Sequence, residues 1–584
     1  MKICYPFSLA LSVLLFICSA AAPDPTTPPI EIPRSGRFLA AEPHVEIKPD
    51  GIVGVTVTTL KPCTGGRAYL GVIPHVAELE YPFYRLRGGL TRFDSLTIFA
   101  EFNLKNIESG SLDIVNLKEN RGGHLGYRLI LFSDKLQVFD RVFAYGRSLD
   151  GEYYRAAALI EGPFVDCVTP ASAVISWEFD RAVDCRLQVQ PGDLTFEFDA
   201  TETRSEFLLS GLAPGTTYDY QITWVNGDVK FKSPELQFRT APPLRSQQKF
   251  SFAVFSDTRA TYGDGDRDVE GVNADALASI LNQAYARNVS LILVPGDLVS
   301  GTTSDPSELE NQFRSWKRIA GPVGGRIPIY EGIGNHDLTF KFFQKKGLKN
   351  RAPRRGEETG EAVFARHFVN PVNSPQPTSD DFPPYSETVY SFDWGNSHFT
   401  MLNSDYHQKG PGELVADMHG ELRGTLRDEQ LEWLDRDLDS ARKRGLEHLF
   451  VFTHNPAFPT GGHAQDAMWW AGEKPEIVQM RNRFWRILCR HKVLAFFAGH
   501  EHNYSRALID RNVDPSFDVP VWQIITGGGG APYYARDESV PWKDSVQFFY
   551  PLSHFCLVEV DGENVILEVL SPDGLLVERA DLNP

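Results

Sequence analysis

Five short motifs hold the residues best suited to chemistry: Asp257-Thr258-Arg259, Gly296-Asp297, Gly334-Asn335-His336-Asp337, Thr453-His454 and Gly499-His500-Glu501-His502. Each stands just after a short apolar run. Taken singly they say little, since Gly-Asp after a strand is an ordinary turn and a lone strand-end histidine is usually structural. Gly-Asn-His-Asp followed downstream by Gly-His-x-His is far more specific. Carboxylate, amide and imidazole groups gathered at strand ends read as one metal site assembled from distant pieces of chain. Mixed His, Asp and Asn donors suit Zn, Fe or Mn better than Ca. Two such ions about 4 Å apart can clamp a phosphoryl group and lower the pKa of bound water from ~16 toward neutral.

The elements that must position these motifs are strands alternating with helices. Lys249–Ser256, Leu291–Val294, Ile327–Tyr330, Leu449–Phe452 and Val493–Ala498 read as strands. Helical spacing is expected over Val269–Arg287, Phe313–Ile319, a segment capped by Thr425, and Pro475–Arg490. This is an α/β layered domain, and open α/β sheets place ligands at the carboxyl ends of their strands. The tail, Trp522–Ile525, Phe555–Val560 and Val565–Leu570, reads as strands closing a second sheet.

Upstream the pattern is all-β. Residues 39–158 show short alternating runs and no catalytic cluster, so their role stays open between packing, glycan or cell-surface contact, and shaping a cleft. Residues 159–243 alternate around Trp177 and carry a Leu-x-Pro-Gly-Thr-x-Tyr turn ending at Tyr218. That domain resembles a fibronectin type III module, with Trp177 in the sandwich core.

From about Phe250 to Asp581 the chain resembles the calcineurin-like metallophosphoesterases. The preceding fibronectin-like domain and the run His500, His502, Tyr504, Arg506 resemble the purple acid phosphatase branch. The resemblance implies a four-layer α/β/β/α sandwich behind N-terminal β-sandwiches, with a two-metal centre of Fe, Zn or Mn. By motif, Asp297 would bridge the ions, Asp257 and His502 would serve the first, and Asn335, His454 and His500 the second. A metal-bound hydroxide would attack phosphorus while His336 offsets charge on the departing oxygen. His463, nine residues after His454, lies where the family often carries a substrate histidine, or is a surface-loop residue; Trp469 and Trp470 beside it could wall the cleft or pack the loop. Two departures stand out. Ser300 occupies the position of the family's iron-ligating Tyr, so no Tyr-ligated ferric iron is expected. Arg259 replaces the His of an Asp-x-His pattern, leaving the first ion three protein ligands; it reads either as a phosphate clamp or as a structural ion pair.

The remaining features bound the class. A net charge of -18 argues against a nucleic-acid backbone as partner and leaves a small phosphate ester open, because a metal dominates the local field. Residues 1–22 carry Lys2, an apolar stretch and small residues suited to cleavage, which is a secretory signal peptide giving a secreted or periplasmic protein. Bulky Ile17 before Cys18 argues against a lipid anchor, and no later run suits a transmembrane span. Residues 23–38 read as a Pro-rich disordered lead-in, and the basic stretch 341–355 as a solvated loop or an attractor of anionic substrate. Five cysteines remain after the leader; Cys167 and Cys185 are either a bridge or two buried thiols. The expected function is a secreted metal-dependent phosphoric ester hydrolase acting on monoesters or diesters. The alternative is a catalytically weakened phosphoesterase fold serving as an extracellular binding module.

Overall fold

The computed structural model describes residues 30–73, 83–94, 96–261, 267–345, 348–410 and 420–583. The leader read as residues 1–22 lies outside them. Among the described residues no helix is long and apolar enough to cross a membrane.

Two sheets lie face to face at the centre of the C-terminal half. One has six strands in the order Ile329–Gly332, Leu291–Pro295, Phe250–Val254, Phe555–Asp561, Asn564–Leu570, Leu576–Asp581; its first three are parallel. The other has seven, in the order Tyr390–Trp394, Ser397–Met401, His448–Thr453, Ala495–Ala498, Val521–Thr526, Tyr504–Ile509, Val546–Tyr550. The strands from Ser397 to Thr526 in that order are parallel. Their inner faces meet through Phe252, whose ring lies 5.1 Å from those of both Phe399 and Phe450. Helices Ala274–Ala286, Pro306–Gly324 and Gly360–His367 pack outside the first sheet through Leu277, Phe313 and Phe364. Asp428–Lys443 and Pro475–Arg490 cover the second through Leu434, Phe484 and Trp485. The result is an α/β/β/α sandwich.

Two smaller sheets form the β-sandwich upstream. One holds Leu159–Asp166, Ser172–Phe179 and Arg204–Ser210, and the other is built on Cys185–Gln190 and Thr217–Asn226. Trp177 is buried between them as expected, and the Tyr218 hydroxyl accepts the Ala213 amide at 2.9 Å across the turn. The most N-terminal sheet has ten strands, and two of them come from the far side of the chain. The short hairpin Asp268–Val269/Val272–Asn273 joins its edge, with Val269 paired in parallel to Val138 of Leu136–Arg147.

Several local expectations change. Residues 268–273 are this hairpin rather than the start of a helix: Val272 is buried as a strand residue, and the helix begins at Ala274, where Asn273 caps it by accepting the Ala276 amide. The helix expected over Phe313–Ile319 runs from Pro306 to Gly324, started by Asp305 and Pro306. Thr425 caps nothing; the next helix starts at Asp428 after Arg427. The C-terminal strands divide between the two central sheets instead of closing one. The basic stretch forms the hairpin Phe340–Lys345/Leu348–Pro353, and Ile30–Glu31 of the expected disordered lead-in pairs with Gln344 and Phe343. Cys63, Cys167, Cys185, Cys489 and Cys556 are all free thiols.

Candidate metal centre

Parallel neighbours explain why the five motifs meet. Asp257, Asp297 and Asn335 follow three adjacent parallel strands of the first sheet, so they emerge side by side at one edge. His454, His500 and His502 follow adjacent parallel strands of the second sheet at the same edge. Asp257, Asp297 and His500 turn there with φ of 64°, 53° and 67°. For side chains other than glycine that conformation costs on the order of 1 kcal/mol or more each, so the surrounding packing must impose it. Glycine does the remaining tight turning. A Cβ on Gly334 would sit 2.4 Å from the Asp297 amide, and one on Gly499 2.7 Å from Asp257 Oδ2.

All six candidate ligands are buried, and five of them fall in two overlapping groups, Asp297/His454/His500 and Asp257/Asp297/His502, while His463 and Asp466 form a third group with His500. Asp297 Oδ1 lies 3.2 Å from His454 Nε2 and accepts the His336 amide at 2.8 Å. Asp257 Oδ1 lies 3.3 Å from His502 Nε2, and Oδ2 accepts the His500 amide at 2.9 Å. Backbone carbonyls fix the imidazoles: His454 Nδ1 donates to Pro295 at 3.0 Å and His502 Nδ1 to Pro532, so both turn Nε2 inward. Three inward atoms, Asp257 Oδ1, Asn335 Oδ1 and His454 Nε2, are buried with no hydrogen-bond partner. Buried donors and acceptors are rarely left so, and a cation would satisfy both oxygens and, in place of its proton, the imidazole nitrogen. The residues present therefore fit metal ions. The electrostatics agree. Burial would raise the Asp297 carboxyl, but His454, His336 and Arg259 hold it well below the usual range. Burial would likewise lower His454, yet Asp297 and Asp257 push it up to about 10, a field that favours positive charge at this spot.

His336 stands at the rim. Its Nδ1 donates to the Ser300 carbonyl at 2.8 Å, leaving Nε2 4.0 Å from Asp297 Oδ2. Burial first, opposed by Asp297, pushes it down to about 3, so it is neutral. Arg259 lies inside the cluster rather than at a distance, its Nη2 3.3 Å from His502 Nε2 and its Nε 3.5 Å from Asp297 Oδ2. His463 is brought in too, its ring centre 3.8 Å from that of His500. Ser300 donates to the Ala260 carbonyl at 2.7 Å and turns away from the centre.

Several supporting residues escape a reading by motif. Asp466 accepts from His463 Nδ1 at 2.8 Å, lies 3.4 Å from His500 Nε2 and pairs with Arg423. Their spacing of three within one loop was the available signal. Glu501, the unassigned residue of Gly-His-x-His, accepts the Thr460 and His463 amides at 2.8 and 3.0 Å and so holds that loop. Asp337 accepts the amides of Leu298, Val299 and Gly334, tying two ligand loops together. Tyr534 stacks on His502, ring centres 4.5 Å apart. Conversely, Tyr504 and Arg506 leave the site and bind Glu578 of the last strand. Trp469 packs on Trp542, and Trp470 donates to the Arg423 carbonyl. A cavity of about 400 Å³ adjoins the cluster between the N-terminal sheet and the sandwich, lined among others by Arg34, Lys135, Arg259, Ser300 and Thr302.

The two central sheets and their helical layers make an α/β/β/α sandwich with the candidate ligands at its strand ends. Residues 250–504 match the family model for calcineurin-like phosphoesterases. The more particular resemblance is to purple acid phosphatases. Purple acid phosphatase 23 of Arabidopsis thaliana is 23% identical over 345 residues, covering 55% of this chain and 61% of its own length. The acid phosphatase of Aspergillus ficuum is 22% identical over 391 residues, 52% of this chain and 59% of its own. The chain thus spans less than two thirds of the length of these curated relatives. Among solved structures, the purple acid phosphatase PPD1 from yellow lupin (Lupinus luteus) seeds superposes with a TM-score of 0.55 at 14% identity, over 91% of this chain and 92% of its own. That likeness extends the shared fold to the N-terminal β domains.

Proposed function

We propose that this chain is a metal-dependent phosphoric ester hydrolase acting on small phosphate esters at the Asp297-centred cluster. The observation that carries the reading is the convergence of Asp257 Oδ1, Asn335 Oδ1 and His454 Nε2, buried and unpartnered, around a carboxylate held in its charged form. Asp297 would be shared between two ions, with Asp257 and His502 on one side and Asn335, His454 and His500 on the other. When bound, the ions would supply Lewis acidity toward the phosphoryl oxygens and acidify water. The chain's own residues do the rest. His336 presents Nε2 at the rim, neutral in the free protein; an arriving phosphate raises its proton affinity, and the proton it then carries is placed for the departing oxygen. His463, fixed by Asp466 and Glu501, offers a second imidazole beside His500. Arg259 supplies fixed positive charge toward the phosphate oxygens. The apolar leader supports export, which N-terminal sequencing of the mature protein checks.

The test is hydrolysis of p-nitrophenyl phosphate and its bis ester by the metal-supplemented protein. Turnover that disappears with a chelator and returns with Zn, Mn or Fe is expected. Metal-replete protein that hydrolyses neither ester would favour the binding-module reading instead.

A further inference from the structure

Arg259 stands among the ligands of one ion. His502 gives its Nδ1 proton to the Pro532 carbonyl, so Nε2 is its remaining lone pair, and Arg259 Nη2 lies 3.3 Å from it. Asp297 turns Oδ1 to His454 at 3.2 Å, so Oδ2 is the oxygen left for the other side, and Arg259 Nε lies 3.5 Å from that. The guanidinium therefore addresses the two atoms that an ion in the Asp257/Asp297/His502 group requires. It must move, and three features make movement feasible. Its contacts are long, 3.3 Å to His502 and 3.5 Å to Asp297, and its buried Nε makes no hydrogen bond, so its hold on the group is loose. Its backbone is anchored by a bridge to Val272, so only the side chain need turn. The cavity of about 400 Å³ that it lines offers room alongside. An ion would also satisfy Asp257 Oδ1, which has no hydrogen-bond partner. In the other group, Asn335 Oδ1 and His454 Nε2 likewise have no hydrogen-bond partner among the described residues, and what reaches its other atoms, the His336 amide on Asp297 Oδ1 and Asp466 beside His500 Nε2, carries no fixed positive charge.

We infer that Arg259 competes with a metal ion for the Asp257/Asp297/His502 group. The chain then holds one ion tightly at Asp297/Asn335/His454/His500 and a second weakly, admitted as Arg259 turns into the cavity. This rests on the metal-centre reading above.

Metal-free full-length protein titrated with Zn²⁺ by calorimetry, with bound metal counted by elemental analysis, tests it without reference to turnover. The wild type should show one tight step and a second weaker by about tenfold or more, the range in which neighbouring groups tune metal affinity. Arg259→Ala should tighten the second step and leave the first unchanged, and His502→Ala should abolish only the weak step. Arg259→Gln, neutral and closer in shape, serves if the alanine variant fails to fold. Two equal steps in the wild type, or a weak step indifferent to both Arg259 variants, would overturn the competition. Failure of wild type and variants alike to bind any ion would refute the metal-centre reading itself.

Discussion

At the scale of single residues, the site separates the buried charged groups from the neutral His336 ring proposed to carry a proton. His336 touches the cluster through its amide and presents its ring at the rim. His336→Ala should therefore leave metal content unchanged while turnover falls about a hundredfold or more, the contribution usual for a positioned proton donor. Elemental analysis beside the rate assay checks both halves, and a variant that retains turnover would remove His336 from the mechanism. The ligand candidates were readable in the sequence because each is a polar motif directly behind an apolar run. Asp466 and Tyr534 were not, because their places depend on how two long loops close over His500 and His502. Arg259 shows the limit in another way: its proximity to the acids was readable, its intrusion among the ligands was not.

At the scale of elements, the helix Pro306–Gly324 is the joint between the β-sandwich and the catalytic layers. Its Lys317 and Arg314 reach Glu161 of the strand Leu159–Asp166 at 2.7 and 3.0 Å. Burial would raise the Glu161 carboxyl, but Lys317 and Arg314 outweigh it and hold it at about 2 against an ordinary 4.5. A lowered folded-state value means stabilisation that is complete above pH 4.5 and fades as pH falls toward 2. That is about 3 kcal/mol at neutral pH. Urea unfolding of wild type and Glu161→Gln should differ by that order at pH 7, and the gap should shrink steadily below pH 4.5 as pH falls toward 2; a gap independent of pH would dismiss the ion pair as its cause. The sequence made most strands and the helix Pro475–Arg490 legible through their apolar periodicity. It misplaced residues 268–273 because Val272 fits a helical face equally well, and only the distant Val138 decides in favour of a strand.

At the scale of the whole molecule, the N-terminal sheet is fastened to the catalytic layers beside the site. Arg141 of Leu136–Arg147, itself largely covered, is held between Glu270, in the turn of the Asp268–Asn273 hairpin, and the exposed Glu42, at 2.5 and 2.6 Å. Removing one member of a buried pair costs about 3–5 kcal/mol because it strands the other. Arg141→Ala should thus lower the melting temperature and, by loosening the segment that carries Arg259, reduce turnover as well; a thermal melt and a rate measurement on the same sample check this. The hairpin has a consequence for modularity. It is written in the catalytic stretch of sequence but completes a sheet that belongs to the N-terminal stretch, so the boundary drawn along the chain is not the boundary drawn in space. A graft or exchange that respects the linear order would carry off the edge strands of one half and leave an open seam in the other. The smallest transplantable piece contains both.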